Sequence, residues 1–401
     1  MSVSKHYTIC QFNGFLGGRI IGGPWEFNVE IVSYALGAVG WKIIFYDKAD
    51  KTQKVGELSS DTGQGYVSEI GFNLVETGCG DFEITLGVAP SALPFTVEYN
   101  QGVEIYLYHD SNPWHAGYIF EMPVSGSTER PWKIAGSGYY NQLEKCVVNK
   151  DYTSEEISAI VRDLVDDFVE EKTDIVYADY KIAMTDYTVS DIQFNHTTAK
   201  KAIEQLADLA QGFVFGVDAN REIFFRGIDP DVNPSAIFAV GKHIDEFRLT
   251  ENAEDVVNRV YVKVGLSTGG TNIQAEVSAY NSQVLYGIRE KVLSAPSLQS
   301  TNDAIRWGNW QLDDLKRPRQ KARIPWTNCS GGKIEAKGKA RIFDNDGGKH
   351  QISVKKVAYS VDSNGIGCSI ELGDLEKSAG RILRDILFDI ANQELIQEAN
   401  A

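Results

Sequence analysis

Apolar and polar residues alternate with period two along WKIIFYD (41–47), YVSEIGFNL (66–74), DFEITLG (81–87), FTVEY (95–99), VEIYLY (103–108), HAGYIFEM (115–122) and PWKIAGSG (131–138). Period two sends successive side chains to opposite faces, so each run predicts a β-strand with one buried face. The Gly, Asp, Asn, Ser and Pro clusters between them, such as DSNPW at 110–114, are turn chemistry. Residues 1–146 therefore read as an antiparallel barrel or sandwich.

The period changes at Asp151. Ile157, Ile160, Val161, Leu164, Val165 and Phe168 recur at three- and four-residue spacing, which predicts an amphipathic helix over 154–170, with Thr153 as N-cap and Glu156 as its box partner. A second helix is predicted over 198–211 on Ala199, Ala202, Ile203, Leu206 and Ala210, stopped by Gly212. FVFGVDANREIFFRG (213–227) predicts a hairpin about its Asp-Ala-Asn-Arg turn. Strand pattern resumes at DVVNRVYVKVG (255–265), and Ser300 with Asp303 is expected to cap a third helix that runs to Leu315 and is ended by Pro318. Residues 333–374 are again strands and hairpins, and Ile382, Leu383, Ile386, Leu387, Ile390, Ala391 and Leu395 predict an amphipathic helix over 376–398 whose stripe must dock on something.

The expected fold is mixed β with an α/β insertion. Two antiparallel β-barrel-like domains, 1–146 and 231–375, flank a small α+β module at 147–230; the second carries a helical insertion near 300–317, and a C-terminal helix occupies 376–401. VEIYLYHDSNPWHAGYIFEM (103–122) and GKARIFDNDGGKHQISVKKV (338–357) both run strand, Asp-rich turn, strand, with a His past the turn, as related units would.

Composition narrows the function. With 401 residues, 43% hydrophobic and 23% charged, the chain suits several folded domains. Its 39 Lys plus Arg against 55 Asp plus Glu leave a net charge of −16, which repels polyanions, so specific nucleic-acid binding is not expected. Cys10, Cys79, Cys146, Cys329 and Cys368 are widely spaced without a C-x-x-C pair, so neither a disulfide scaffold nor a zinc site is expected. No apolar run is long enough for a membrane segment and no signal peptide is legible, which predicts a chain made and kept soluble in a reducing cytoplasm.

No H-E-x-x-H, P-loop or G-x-S-x-G motif occurs, so no catalytic residue and no cofactor is assigned. FNGFLGGRIIGG (12–23) lacks a preceding strand and a following long helix, and reads as a loop. His109, Asp110 and His115 straddle a Pro-Trp turn with no third ligand nearby, and read as hairpin-turn residues rather than a metal site. Asp344-Asn345-Asp346-Gly347 reads as a turn, because Gly348, Lys349 and His350 follow where a calcium loop needs glutamate. Nine acids within 151–174 read as the solvated face of a helix.

The basic residues are more telling. Residues 316–356 hold twelve Lys and Arg against Glu335, Asp344 and Asp346, inside an acidic protein. Trp326 and Phe343 are the only aromatics within 316–356, too few for a nucleic-acid platform, so contact with an acidic protein face is expected. The candidate interface residues are Lys316, Arg317, Arg319, Lys337, Lys339 and Arg341, with Ile382, Ile386 and Ile390 on the terminal stripe.

The order of WHAGYIFEM (114–122), IQFNHTTAKKAIEQLADLAQGFVFGVDANREIFF (192–225), NAEDVVNRVYVKVG (252–265), LYGIREKVLSAPSLQSTNDAIRWGNWQLDDLKRP (285–318) and KKVAYSVDSNGIGCSIELG (355–373) resembles the tail hub proteins of tailed bacteriophages. That family includes baseplate hubs, tail-tip hubs and late control proteins, and the resemblance runs from about Trp41 to Gly373. It implies a homotrimer whose two hub (Tudor-like) barrels per chain make a ring of six. Such a ring adapts a sixfold tail tube or distal tail protein ring to a threefold tip, spike or fibre protein, leaving a channel for DNA, with a tape measure protein as a further partner. The implied location is the virion tail tip or baseplate, after assembly in the bacterial host cytoplasm. Some family members continue into a cell-wall-degrading or receptor-binding extension; ending on the helix at 376–398, this chain is expected to be non-enzymatic. The alternatives are a tail-tip enzyme acting on peptidoglycan or host glycan, and a glycan-binding receptor module.

Overall fold

The computed structural model describes residues 40–373, except 49, 51, 63–65, 109, 124–131, 228–235, 245–246, 267–271, 296, 329–332, 337, 346–347 and 363–364. The loop at 12–23, Lys337 and the helix expected over 376–398, with Ile382, Ile386 and Ile390, lie outside the described residues.

Strands β1 (Trp41–Tyr46), β2 (Lys54–Ser59), β3 (Val67–Val75), β4 (Gly78–Leu86), β5 (Gly102–Leu107), β6 (His115–Glu121) and β7 (Trp132–Gly138) form the first β unit, antiparallel in the order β3-β4-β7-β6-β5-β1-β2. Alternation along them sends Ile43, Phe45, Ile84, Ile105 and Ile119 inward, all at 0% exposure. Burying each such side chain stabilises the fold by roughly 1.5–3 kcal/mol. FTVEY at 95–99 departs from expectation and is not a strand. Gln101 satisfies its backbone instead, accepting from the Glu98 N–H at 2.9 Å and donating to the Thr96 carbonyl at 3.2 Å, while Phe95 packs on Phe45.

The chain then enters β8 (Val147–Glu156), α1 (Ile157–Leu164), a π-type turn over Val165–Val169, α2 (Glu170–Thr173), β9 (Val176–Ile182), β10 (Thr188–Thr198), α3 (Ala199–Ala210), β11 (Phe213–Val217) and β12 (Glu222–Gly227). The cap of the first helix differs from expectation. Pairing of Thr153 with Asp191 keeps Thr153 extended in the β8–β10 ladder, so the helix starts later. Glu156 caps it by accepting from the N–H groups of Ser158 at 2.7 Å and Ala159 at 3.2 Å. The acids Asp166, Asp167, Glu170 and Glu171 of this helix are exposed. Thr198 caps α3 by accepting from the Lys201 N–H, and the hairpin at 213–227 forms with Asp218 Oδ1 accepting from the Asn220 and Glu222 N–H groups across its turn.

Next come β13 (Ala236–Ala239), β14 (Leu249–Asn252), β15 (Arg259–Leu266), β16 (Asn272–Ser278), α4 (Tyr280–Tyr286), β17 (Glu290–Ala295) and α5 (Thr301–Leu315). They are followed by β18 (Arg319–Asn328), β19 (Lys339–Phe343), β20 (Lys349–Asp362) and β21 (Gly365–Gly373). Strand β15 pairs antiparallel with β16 and parallel with β17, and α4 was not foreseen. In α5 the expected capping pair is not formed. The Ser300 side chain makes no cap bond, and Asp303, at 0% exposure, accepts from Tyr187 Oη at 2.5 Å and the Ser190 N–H at 3.1 Å.

Among the described residues the protein is thus mostly antiparallel β-sheet with five short helices. Two cores organise it. One gathers the first β unit together with Phe238, Ile324, Ile342, Val357, Ile370 and their neighbours from β13 and β18–β21. The two β units are continuous, because β20 pairs with β21 on one edge and with β3 on the other, from Lys356 opposite Val75 to Val361 opposite Ile70. The other core gathers α1, α3 and the 213–227 hairpin with Val260, Val262, Val277, Ala304 and Leu312. Residues 231–375, expected as one domain, are therefore shared between both cores, because α5 lies on β15 and β16 with Gly308 against Val262 and Val277. A Cβ at Gly308 would sit 2.7 Å from the Val262 methyl carbon, so only glycine permits that approach.

Cys79 and Cys146 are free and buried. Cys368 on β21 is disulfide-bonded, which the wide cysteine spacing did not signal. No helix among the described residues is long and apolar enough to cross a membrane.

Candidate functional site

The basic residues sort by strand alternation. On β18, Ala322 and Ile324 are buried while Lys321 and Arg323 are exposed; on β19, Ala340 and Ile342 are buried while Lys339 is exposed and Arg341 half-buried. Register places Lys339 opposite Ser353, Arg341 opposite Gln351 and Phe343 opposite Lys349 on β20. Further along, Arg323 and Lys356 both stand opposite Glu371, one from each side. The outer face of the second β unit is therefore a basic strand face.

Of the candidates, Arg319, Lys339 and Arg341 belong to this face, together with Arg323, Lys349 and Lys356, and none of the six has an ion-pair partner among the described residues. The Arg341 Nε is buried and makes no hydrogen bond among the described residues. Lys316 and Arg317 are not part of the face. They close α5, where Lys316 pairs with Asp313 and Arg317 lies 3.9 Å from Asp314. Lys355 is also committed, donating to Glu76 at 2.8 and 2.9 Å across the seam between the two β units. Arg323, Lys349 and Lys356 are counted in the basic stretch 316–356 but not among the candidate interface residues, although the pattern Arg319-x-Lys321-x-Arg323 around buried Ala322 was the signal that could have placed Arg323 with them.

A cleft of about 260 Å³ opens where the two β units meet the 213–227 hairpin, lined by Glu76, Cys79, Lys181, Asp218, Arg226 and Lys333, among others. Its charges neutralise each other: Lys181 pairs with both Asp218 and Glu222. Burial pushes the Cys79 thiol up, so it stays protonated at neutral pH and is no nucleophile.

The histidine candidates also resolve. Asp110 accepts from Trp114 Nε1 at 2.6 Å, and His109 lies outside the described residues. His115, expected as a turn residue, opens β6 at 0% exposure between the rings of Phe72 and Phe82. Its Nε2 lies 2.9 Å from the Gly80 carbonyl and must donate to it, leaving buried Nδ1 unpartnered. Burial holds its pKa down to about 3. The folded chain therefore refuses a proton that the unfolded chain accepts below about 6.5, and stability falls as pH drops through that value toward the folded pKa. Between pH 7 and 5 the wild type should lose roughly 2 kcal/mol more than His115→Gln, read from urea midpoints; equal losses would refute the assignment. Asp344 Oδ2 meets His350 Nε2 at 3.0 Å and its Oδ1 accepts from the Gly348 N–H at 2.5 Å, which is the turn chemistry expected between β19 and β20.

No protein-family profile matches the chain, and no curated protein does. Solved structures do. The 43 kDa tail protein of prophage MuSo2 from Shewanella oneidensis aligns at TM-score 0.59 and 14% identity, covering 83% of this chain and 100% of its own. A tail protein from Neisseria meningitidis MC58 aligns at 0.59 and 11% identity, covering 84% and 96%. Prophage tail protein gp18 from Listeria monocytogenes EGD-e aligns at 0.54 and 14% identity, covering 86% and 98%. Identities this low establish fold alone, and over more than four-fifths of its length the chain shares the fold of these tail proteins.

Proposed function

We propose that this protein is a structural, non-enzymatic hub at the distal end of a phage tail or a phage-derived injection apparatus. It works as a homotrimeric ring that joins a sixfold tail tube or distal ring to a threefold tip, spike or fibre protein and leaves a channel for DNA. The fold shared with these tail proteins supports this reading.

The observation that carries it is charge segregation between two β units joined edge to edge through β3 and β20. Residues 1–146 hold 9 bases and 16 acids, whereas residues 316–356 hold 12 bases and 3 acids. Each unit acts as one barrel of the ring. A threefold rotation then brings the basic face of one chain to the acidic unit of the next, a head-to-tail contact that closes after three copies. The six β units alternate around the ring and offer a hexameric neighbour six comparable positions.

Size-exclusion chromatography with light scattering should return three chains of 44.4 kDa per particle. A monodisperse monomer at micromolar concentration that also fails to join tail tube or distal tail protein would defeat the reading. Release of fragments from labelled cell wall by the purified protein would replace it with the enzyme alternative.

A further inference from the structure

Large apolar side chains are exposed on α4 and the strand after it: Tyr280 at 75%, Val284 at 66%, Leu285 at 73%, Ile288 at 60% and Val292 at 54%. These are five of the twelve large apolar residues exposed among the described residues, and they fall within thirteen positions. An apolar concentration of this kind marks a docking surface. It also borders a sheet edge, because β17 is an outer strand of its three-stranded sheet, paired with β15 among the described residues.

The end of β21 lies close to this surface. Gly373 pairs with Lys321, and a short way back along the chain the Lys316 carbonyl accepts from Ser282 Oγ of α4 at 2.6 Å. Five residues of extended chain span at most roughly 18 Å and the paired strand lies roughly 5 Å further, so β21 leaves the sheet within roughly 23 Å of the α4 contact. Residues 374–381 add up to roughly 28 Å of tether, enough to bring Ile382 onto the patch. Beyond them Ile382, Leu383, Ile386, Leu387 and Ile390 repeat at helical spacing. A tether this short holds its end at an effective concentration in the millimolar range, which a second copy at micromolar concentration does not match.

We propose that residues 382–398 of the same chain seat their apolar stripe on the surface formed by Tyr280, Val284, Leu285, Ile288 and Val292. This goes beyond the ring reading and does not depend on it, since a single chain contains both partners. The segment carries a trypsin site at Arg384, and cleavage there reports the population of the undocked form when opening and closing are fast.

The test is the rate of trypsin cleavage at Arg384 in the full chain, at two concentrations about twentyfold apart. Val284→Asp with Leu285→Asp should accelerate cleavage at that site at least roughly tenfold, with no dependence on protein concentration. Ile386→Asp with Ile390→Asp should give the same acceleration without touching α4, which covers misfolding of the first variant. Equal rates in the wild type and both variants overturn the proposal. Protection that appears only at the higher concentration overturns it too, by assigning the surface to a second copy of the chain. Trimer formation is read separately by light scattering, so failure here leaves the ring reading standing, and the reverse.

Discussion

Asp303→Ala should destabilise the helical core by about 3–5 kcal/mol, because it strips a fully buried carboxylate from two donors at once. Asp303 has 0% exposure and accepts from Tyr187 Oη at 2.5 Å and the Ser190 N–H at 3.1 Å. One turn along α5, Arg306 stacks over the Tyr187 ring at 3.8 Å and donates to the Leu209 carbonyl at 2.6 Å and the Ala210 carbonyl at 3.3 Å. The cluster thus ties α5 to the chain entering β10 and to the C-terminal end of α3, where a cation also complements the helix dipole. Truncation leaves a hydroxyl and an amide without partners and opens a void beside them. Asp303→Asn retains an acceptor and should cost only about 1–2 kcal/mol, and a double-mutant cycle with Tyr187→Phe isolates the shared bond. Denaturant unfolding followed through Trp307 and Trp310 of α5 reads the local transition. An alanine variant within about 1 kcal/mol of wild type would show that the cluster contributes little.

Charge reversal on the basic strand face should weaken assembly strongly. Lys339→Glu and Arg341→Glu, with Lys337→Glu, convert three attractions into three repulsions at a surface where neither Lys339 nor Arg341 has a partner among the described residues. Exposed pairs contribute at most about 1 kcal/mol each, so three reversals should raise the dissociation constant roughly thirtyfold to several hundredfold at low salt. Screening shortens the reach of these charges to about 10 Å at 0.1 M salt, so wild-type assembly should weaken as salt rises and the variant should show a flatter dependence. Light scattering across a salt series checks both. Assembly unchanged at low and high salt would remove this face from the interface.

The sequence by itself determined the elements wherever periodicity and local chemistry agree. The alternation of Ile43 and Phe45, or of Ala322 and Ile324, already named the buried faces, and the hairpin at 213–227 and the helix on Ala202, Ile203 and Leu206 stand where their patterns put them. Basic residues on β18 and β19 were legible for the same reason, since a strand that buries one face must present the other.

What only tertiary structure decided are relations between distant segments. Thr153 lost the capping role to Glu156 because a partner residue on another strand, Asp191, holds it extended, and Asp303 became a buried acceptor rather than a cap because Tyr187 and Ser190 arrive beside it. His115 moved from an expected turn into the core for a like reason: Gly80, Phe72 and Phe82 close over it. The joining of β3 to β20, and the division of residues 231–375 between two cores, follow from sheet edges that must find partners and apolar faces that must find cover. Local pattern fixes which face a residue takes; which neighbour covers that face is settled when the whole chain competes for the same buried surface.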